Sequence, residues 1–197
     1  MSAALPLPAV HASWFAGLDA GLVALATTSP LGRRLLYHEL DAVAPHLLSP
    51  RHAPDVAGIW SVERLDALAL PLGALIYGPA IRAVVHRNAV RRLKGVLGDG
   101  YRLALDASLL APPDDADLAL RMRTDLAAAL DADEAAPREL LCRAGLVALQ
   151  AWADAASPAL AEWLRLRRPR EEPMAPVRAL PADLVAALVA HHGGSAT

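Results

Sequence analysis

Histidine and aspartate are the residues of this chain that could perform metal or acid–base chemistry, and two small groups of them stand out. His46 and His52 lie in a proline-rich segment with Asp55 nearby, and His191 and His192 are adjacent near the C-terminus. Neither group has the spacing of a metal-binding motif or a second pair of ligands that would complete a tetrahedral site. A catalytic histidine also needs an orienting partner and a nucleophile, and no such set is evident. The sequence therefore predicts no catalytic residue, no metal and no cofactor, and a protein that is not an enzyme.

A strongly cationic stretch between residues 82 and 102 is the sharpest local signal. It holds six Arg or Lys and one acid, a net charge of +5, whereas residues 114–139 hold eight acids and three arginines, a net charge of −5. Arg87, Arg91 and Lys94 share one helical face because they are four and three residues apart. Trp14 adjoins an extended N-terminal arm and is expected to be partly exposed. The candidate protein-binding residues are Arg82, Arg87, Arg91, Arg92, Lys94 and Trp14.

Three interpretations of the basic stretch remain open. It is a solvated helix face that forms salt bridges with the acidic 114–139 region, or it binds a protein, or it binds nucleic acid. Two short helices over 79–97, the second of them basic, are the pattern of a helix-turn-helix and predict, as the alternative function, a DNA-binding regulator. Against this alternative, the turn has no clear polar recognition positions, and the net charge of the whole chain is −2.

The composition predicts an all-α protein. Ala and Leu dominate a chain that is 55% hydrophobic, and strand-forming residues are sparse, with one phenylalanine. Sixteen prolines indicate short, often interrupted helices. We expect a single compact domain of about eight to ten short, mostly orthogonal helices with a flexible C-terminal tail. The expected boundaries are an N-terminal arm over 1–12, a helical domain over 13–168, and a Pro-rich linker, short helix and disordered tail over 169–197.

Caps and apolar spacing predict where individual helices lie. Ser29-Pro30 and Ser157-Pro158 each combine an N-cap serine with proline at the first helical position. Other helices are expected over 13–27, 61–77, 79–86, 88–97, 99–109 and 133–155. Two sets of side chains have helical spacing: an apolar stripe at Leu31, Leu35, Leu36, Leu40 and Val43, and a buried face at Leu118, Met122, Leu126 and Leu130. Leu160, Trp163 and Leu164 are expected to be core residues.

The sequence predicts a cytoplasmic protein without direct membrane insertion. The longest uncharged apolar stretch, Ala67 to Ile81, has fifteen residues and is interrupted by proline and glycine, whereas a membrane span needs about 20 apolar residues. The first 32 residues contain no Lys or Arg, so they lack the basic region of a secretory signal. Cys142 is the single cysteine, which we interpret as a small core residue.

Three segments, in order along the chain, resemble the SctK family (also called YscK or PscK) of bacterial type III secretion systems. The first is Val10-His11-Ala12-Ser13-Trp14, similar to the family's N-terminal H-x-x-W-like segment. The second is L-x-x-L-x-L-x-L-G-x-x-x-x-G-x-A-I-R from Leu65 to Arg82. The third lies between Pro137 and Pro169, and its matching positions are Gly145, Leu146, Trp152, Pro158, Trp163, Leu164, Leu166, Arg167 and Pro169.

The resemblance implies a non-enzymatic adaptor of the injectisome sorting platform. Proteins of this family link the cytosolic forkhead-associated-like domain of the inner-membrane ring protein SctD to the pod protein SctQ, and so indirectly to SctL and the ATPase SctN. The expected location is therefore the cytoplasmic face of the bacterial inner membrane, and the expected partners are proteins, not nucleic acid.

Overall fold

The computed structural model describes residue 7 and residues 10–48, 62–170 and 177–193. Throughout these residues the regular structure is helical, so the prediction of an all-α protein is confirmed. A 3-10 turn at Ala12–Phe15 precedes the α-helices, which are α1 (Ala20–Thr28), α2 (Pro30–Asp41), α3 (Pro45–Leu48), α4 (Val62–Ile76), α5 (Gly78–Arg82), α6 (Arg87–Leu97), α7 (Gly100–Leu105), α8 (Ala116–Asp131), α9 (Ala136–Ala156), α10 (Pro158–Leu166) and α11 (Ala182–Gly193).

The helices fall into two compact units, whereas the sequence predicted one helical domain over 13–168. The first unit comprises Met1–Val62 and Ala153–Met174, and the second comprises Glu63–Trp152 and Ala175–Thr197. The periodicity of a sequence shows which face of a helix is apolar, but it does not show which other helix that face meets. The number of compact units therefore could not be read from the helical pattern.

The core of the first unit is built around α10. Six of the nine residues of this helix are buried, and the Trp163 side chain is fully inaccessible to solvent. Its first turn is set by Ser157, whose Oγ accepts a hydrogen bond from the Leu160 N–H at 3.4 Å. α10 packs on α3, α3 on α2, and α2 on α1. The prediction that Leu160, Trp163 and Leu164 are core residues is confirmed.

The core of the second unit gathers the apolar faces of α4 to α9. Met122 and Leu126 of α8 are buried, and Leu118 and Leu130 are partly buried against the same cluster, as their four-residue spacing predicted. α5 packs on α7 and α8, and α6 packs on α7. The C-terminal segment belongs to this unit as well: Val185 of α11 is buried, and Arg178 Nη1 donates to the Ala111 carbonyl at 2.6 Å. The predicted disordered tail beyond residue 193 lies outside the described residues.

Two glycines let α4 and α9 approach each other closely. A Cβ on Gly73 would overlap the Leu141 carbonyl oxygen and lie 2.5 Å from the carbonyl carbon. A Cβ on Gly145 would overlap the Ala69 carbonyl oxygen and lie 2.9 Å from the Gly73 nitrogen. Each glycine therefore lies against the backbone of the other helix, and this crossing admits no side chain at either position.

The N-terminal helix differs from the prediction. The expected helix over 13–27 is divided into the 3-10 turn and α1, because Asp19 caps a new helix by accepting a hydrogen bond from the Leu22 N–H at 3.0 Å. Ser13, the first residue of the expected helix, accepts a hydrogen bond from the Arg170 N–H at 2.9 Å. The helices expected over 79–86 and 99–109 are shorter in the structure, at Gly78–Arg82 and Gly100–Leu105.

Candidate functional site: the basic face of α6

Three cations occupy the exposed side of α6. Arg87, Arg91 and Lys94 are exposed, while Leu93 and Leu97 on the opposite side are buried. This arrangement follows from the sequence, since residues spaced by three or four lie on one side of a helix. The helix ends at Gly98, which has a φ of 52° and donates its N–H to the Lys94 carbonyl at 2.9 Å. We call Arg87, Arg91 and Lys94 the basic face.

The basic face is not neutralised by neighbouring acids. Within the described part of the chain, no ion pair or hydrogen bond joins these three side chains to the acids of residues 114–139. Lys94 lies instead over the ring of Tyr101 on α7, with 5.5 Å between Nζ and the ring centroid. The salt-bridged interpretation of the basic stretch therefore finds no support among the described residues, and the positive charge remains available to solvent or to a partner.

The N-terminus of α6 adds to the positive potential of this face. Its N-cap, His86, makes no side-chain capping hydrogen bond, and Arg87 is the first helical residue. The first N–H groups of a helix carry a partial positive charge, so a cation there is unfavourable and an anion is attracted. Arg87 and Arg91 thus lie where a carboxylate or another anionic group is best accommodated.

Arg82 is engaged inside the second unit. Its Nη1 donates to the Ala104 carbonyl at 2.9 Å, and its Nη2 donates to the Leu110 carbonyl at 3.5 Å. These bonds tie α5 to the end of α7 and to the segment that follows it. Gly78 provides the room, because a Cβ there would lie 3.0 Å from the Ala104 carbonyl oxygen and 3.2 Å from Arg82 Nη1. We assign Arg82 to the packing of the unit and not to a partner surface.

Arg92 likewise points away from the basic face. It is half-buried, and its Nη1 donates to the Leu130 carbonyl near the C-terminus of α8. Its Nη2 is buried and has no hydrogen-bond partner among the described residues. A cation at a helix C-terminus is stabilised by the carbonyls that lack intrahelical partners. The structure therefore separates Arg92 from its neighbour Arg91, which faces solvent.

Trp14 belongs to the first unit and is half-buried. Its Nε1 donates to the Arg168 carbonyl at 2.9 Å, and the Arg170 guanidinium lies over its ring at 5.7 Å from the centroid. These contacts attach the N-terminal 3-10 turn to the chain beyond α10. Of the six candidate binding residues, the structure brings only Arg87, Arg91 and Lys94 together.

A buried carboxylate that the sequence did not single out pairs with one of the predicted loop histidines. Glu162 on α10 is 4% exposed. Its Oε1 lies 2.7 Å from His46 Nδ1, and its Oε2 accepts a hydrogen bond from the Leu47 N–H at 2.7 Å. His46 is thus part of α3, and Glu162 holds that short helix in place. No sequence signal marks this acid, because it lies between two apolar residues of a nearly all-buried helix. His52, Asp55 and Trp60 lie outside the described residues.

Burial raises the pKa of two other groups that could do chemistry, the Cys142 thiol and the Tyr77 phenol. Burial raises the pKa of the Cys142 thiol, which lowers its thiolate fraction at neutral pH. Burial also raises the pKa of Tyr77 to about 12. Among the described residues, no three His, Cys, Asp or Glu side chains are grouped so as to hold a metal ion.

A cleft of about 340 Å³ in the second unit is lined by Asp66 and Arg138 together with apolar residues.

An exposed apolar surface on α1 and α2 was not predicted. Leu31 and Leu35 are 69% and 61% exposed, whereas Leu36 and Leu40 of the same predicted stripe are buried. The stripe was too wide for one buried face, because Leu31 and Leu35 centre on a direction about 140° around α2 from that of Leu36 and Leu40. The exposed leucines of this region, which we call the leucine surface, are Leu18, Leu22, Leu25, Leu31 and Leu35.

Comparisons with known proteins found no similarity that bears on function. No helix among the described residues is both long and apolar enough to cross a lipid bilayer. No family model matches the chain, and neither curated proteins nor solved structures include a significant match.

Proposed function

We propose that this protein is a non-enzymatic adaptor of a type III secretion sorting platform, similar to the SctK family, that links SctD to SctQ at the cytoplasmic face of the inner membrane. The proposal rests first on the three segments that resemble the family and follow one another in the family's order. Through SctQ the chain would connect indirectly to SctL and the ATPase SctN. No enzymatic activity, cofactor or metal is part of this proposal.

The second resembling segment and part of the third contain residues that hold the second unit together. Gly73 and Gly145, which belong to the second and third segments, are the two glycines at the crossing of α4 and α9. Arg82, the last residue of the second segment, bonds the carbonyls of Ala104 and Leu110. A resemblance carried by residues with such specific packing roles is harder to obtain by chance than one carried by interchangeable apolar residues. This coincidence supports the proposed kinship.

The observation that carries the binding role is the basic face of α6, which has no acidic partner among the described residues. Exposed charges contribute about 0–1 kcal/mol each to stability, so three exposed cations on one face do little for the fold. Complementary charge strongly affects the rate and selectivity of docking. An acidic surface on a partner protein fits both the three cations and the uncapped N-terminus of α6. We assign the forkhead-associated-like domain of SctD as the first partner to test against this face.

Charge reversal on α6 tests the assignment. Arg87→Glu with Arg91→Glu should leave the circular dichroism spectrum and Tm unchanged, yet weaken binding to purified SctD cytosolic domain or to SctQ by about tenfold or more. The matched control is Arg121→Glu with Arg123→Glu, which reverses two exposed arginines of α8 in the same unit. Unchanged affinity of the α6 variant for both partners would reduce the basic face to a solvated surface.

The alternative of a DNA-binding regulator uses the same exposed cations over 79–97. Binding to DNA releases counterions, so its affinity would fall steeply as salt increases. Titration of the chain with duplex DNA at two salt concentrations, beside titration with SctD and SctQ, separates the two functions. Tight, strongly salt-dependent DNA binding that Arg87→Glu abolishes would favour the regulator.

Elemental analysis that finds a stoichiometric transition metal would contradict the predicted absence of a metal site.

A further inference from the structure

The outer side of α2 combines exposed leucines with two charges of opposite sign. Leu31 and Leu35 are among the most exposed large apolar side chains of the described residues, at 69% and 61%. Arg34 is the fifth of the twelve residues of α2, and Asp41 is its last residue; both are exposed. A helix favours acids in its first turn and bases in its last turn. Asp41 therefore lies at its less favourable end, whereas Arg34 lies beyond the first turn.

The two charges lie in one row beside the leucines. Arg34 and Asp41 are seven residues apart, which brings them to nearly the same side of a helix with 3.6 residues per turn. Leu31 and Leu35 form a second row, about 90° around the helix from these charges and about 140° from the buried row of Leu36 and Leu40. No ion pair within the described residues neutralises Arg34 or Asp41. The outer side of α2 thus carries an apolar row, flanked on one side by a positive charge and, seven residues later, a negative charge.

We propose that this side of α2 is a self-association surface, on which a second copy of the chain packs its own α2 antiparallel about a two-fold axis. In that arrangement residues on the same side of the two helices become neighbours, and the N-terminal half of each helix faces the C-terminal half of the other. Arg34 of each copy then lies beside Asp41 of the other copy, so that each charge meets one of opposite sign. In this register Leu35 of each copy lies near the two-fold axis between the helices, and Leu31 lies beside the partner's chain just past the end of its α2.

A second copy fits better than an unrelated apolar partner, because the charge pattern is complementary to itself. A partner of uniform charge would be attracted by Arg34 and repelled by Asp41, or the reverse. The neighbouring helix α1 extends the apolar area, because it packs on α2 and has no buried residue. The two helices approach closely at Gly32 of α2, where a Cβ would lie 2.5 Å from the Ala26 Cα of α1. Leu25 precedes Ala26 and Leu31 precedes Gly32, and both leucines are exposed.

The oligomeric state of the full chain tests the proposal without any secretion partner, so its failure and that of the adaptor function are distinguishable. Sedimentation or light scattering over the micromolar range should show the mass rising from 20.7 kDa towards twice that value. Leu31→Asp or Leu35→Asp should weaken the dimer by about tenfold or more. Leu120→Asp is the matched control, because Leu120 is 56% exposed on α8 of the other unit; it should dimerise like wild type.

A charge swap identifies the antiparallel geometry. Arg34→Asp alone and Asp41→Arg alone should each weaken the dimer, because each variant opposes like charges in its own pair. An equimolar mixture of the two variants should restore association as a heterodimer. A mass of 20.7 kDa at every concentration overturns the proposal, as does a dimer unaffected by both leucine substitutions. The proposal is also overturned if the chain is a monomer whose binding to SctQ or SctD is lost in the Leu31→Asp variant, because the surface would then bind another protein.

Discussion

Replacing Gly145 by alanine should destabilise the protein even though alanine is the better helix former. In an open helical position the substitution gains about 1 kcal/mol. Here the new Cβ would overlap the Ala69 carbonyl oxygen and lie 2.7 Å from its carbon and 2.9 Å from the Gly73 nitrogen. All three atoms are backbone atoms of α4, so they cannot move aside as a side chain can. Overpacking costs about 1–3 kcal/mol and occasionally more, and we expect a net loss of about 2 kcal/mol for this backbone clash.

Gly95→Ala is the matched control for this prediction. Gly95 lies inside α6, and a Cβ there would meet no atom within 4 Å. Its replacement should therefore stabilise the protein by about 0.5–1 kcal/mol. For a chain of this size 1 kcal/mol corresponds to a Tm change of about 2–4 °C, so thermal melts should place Gly145→Ala about 4–8 °C below wild type and Gly95→Ala slightly above it. A Gly145→Ala variant that melts at or above the wild-type temperature would refute the close approach of α4 and α9.

Three other substitutions test buried or half-buried groups, and a fourth, Arg91→Ala, is an exposed control. Trp163→Ala should lower the free energy of unfolding by about 3–5 kcal/mol, because the side chain is fully buried; a variant that melts like wild type but no longer binds SctQ or SctD would contradict the core assignment. Burial raises the pKa of Tyr77 from 10.0 to about 12. The folded phenol therefore keeps its proton where the unfolded one loses it, and stability should fall by about 3 kcal/mol as pH rises through that interval. Tyr77→Phe should flatten this fall in denaturant titrations, and an identical pH dependence in both proteins would argue against it. Arg92→Ala should lower the free energy of unfolding by about 1–3 kcal/mol, because it leaves the Leu130 carbonyl unsatisfied. Arg91→Ala should change that free energy by no more than about 0.5 kcal/mol. Equal Tm values for the two variants would show that the Arg92 side chain is not internal.

Local signals predicted individual helices well where the chemistry of a cap decides the outcome. Ser29 and Ser157 each accept a hydrogen bond from the backbone three residues later, and proline follows each of them at the first helical position. The helix expected from Ser13 failed for the same kind of reason. Asp19 is a strong cap, and it begins α1 at Ala20. Two candidate caps in one segment compete, and the sequence alone does not rank them.

Burial was harder to predict than helicity, because it depends on contacts between distant segments. The spacing of Leu31 and Leu35 is as regular as that of Leu36 and Leu40, yet the first pair is exposed and the second is buried. Glu162 shows the opposite case, since it is a charged residue type that is almost fully buried. Its two oxygens meet the His46 ring and the Leu47 N–H, more than a hundred residues earlier in the chain. No sequence pattern within α10 predicts that pairing.

The same limit explains why the charge of residues 82–102 overstates the charge of the surface. Arg91 and Arg92 are adjacent, but successive helical residues differ by about 100° in direction, so one faces solvent and the other bonds the Leu130 carbonyl. The Arg82 guanidinium likewise donates hydrogen bonds to internal carbonyls. Only three cations remain on the basic face of α6, whereas a protein that depends on phosphate contacts for DNA affinity makes about 6–10 of them. The small number of cations on this face favours the proposed acidic protein partner over duplex DNA, and complementary charge on such a partner would affect the rate and selectivity of docking.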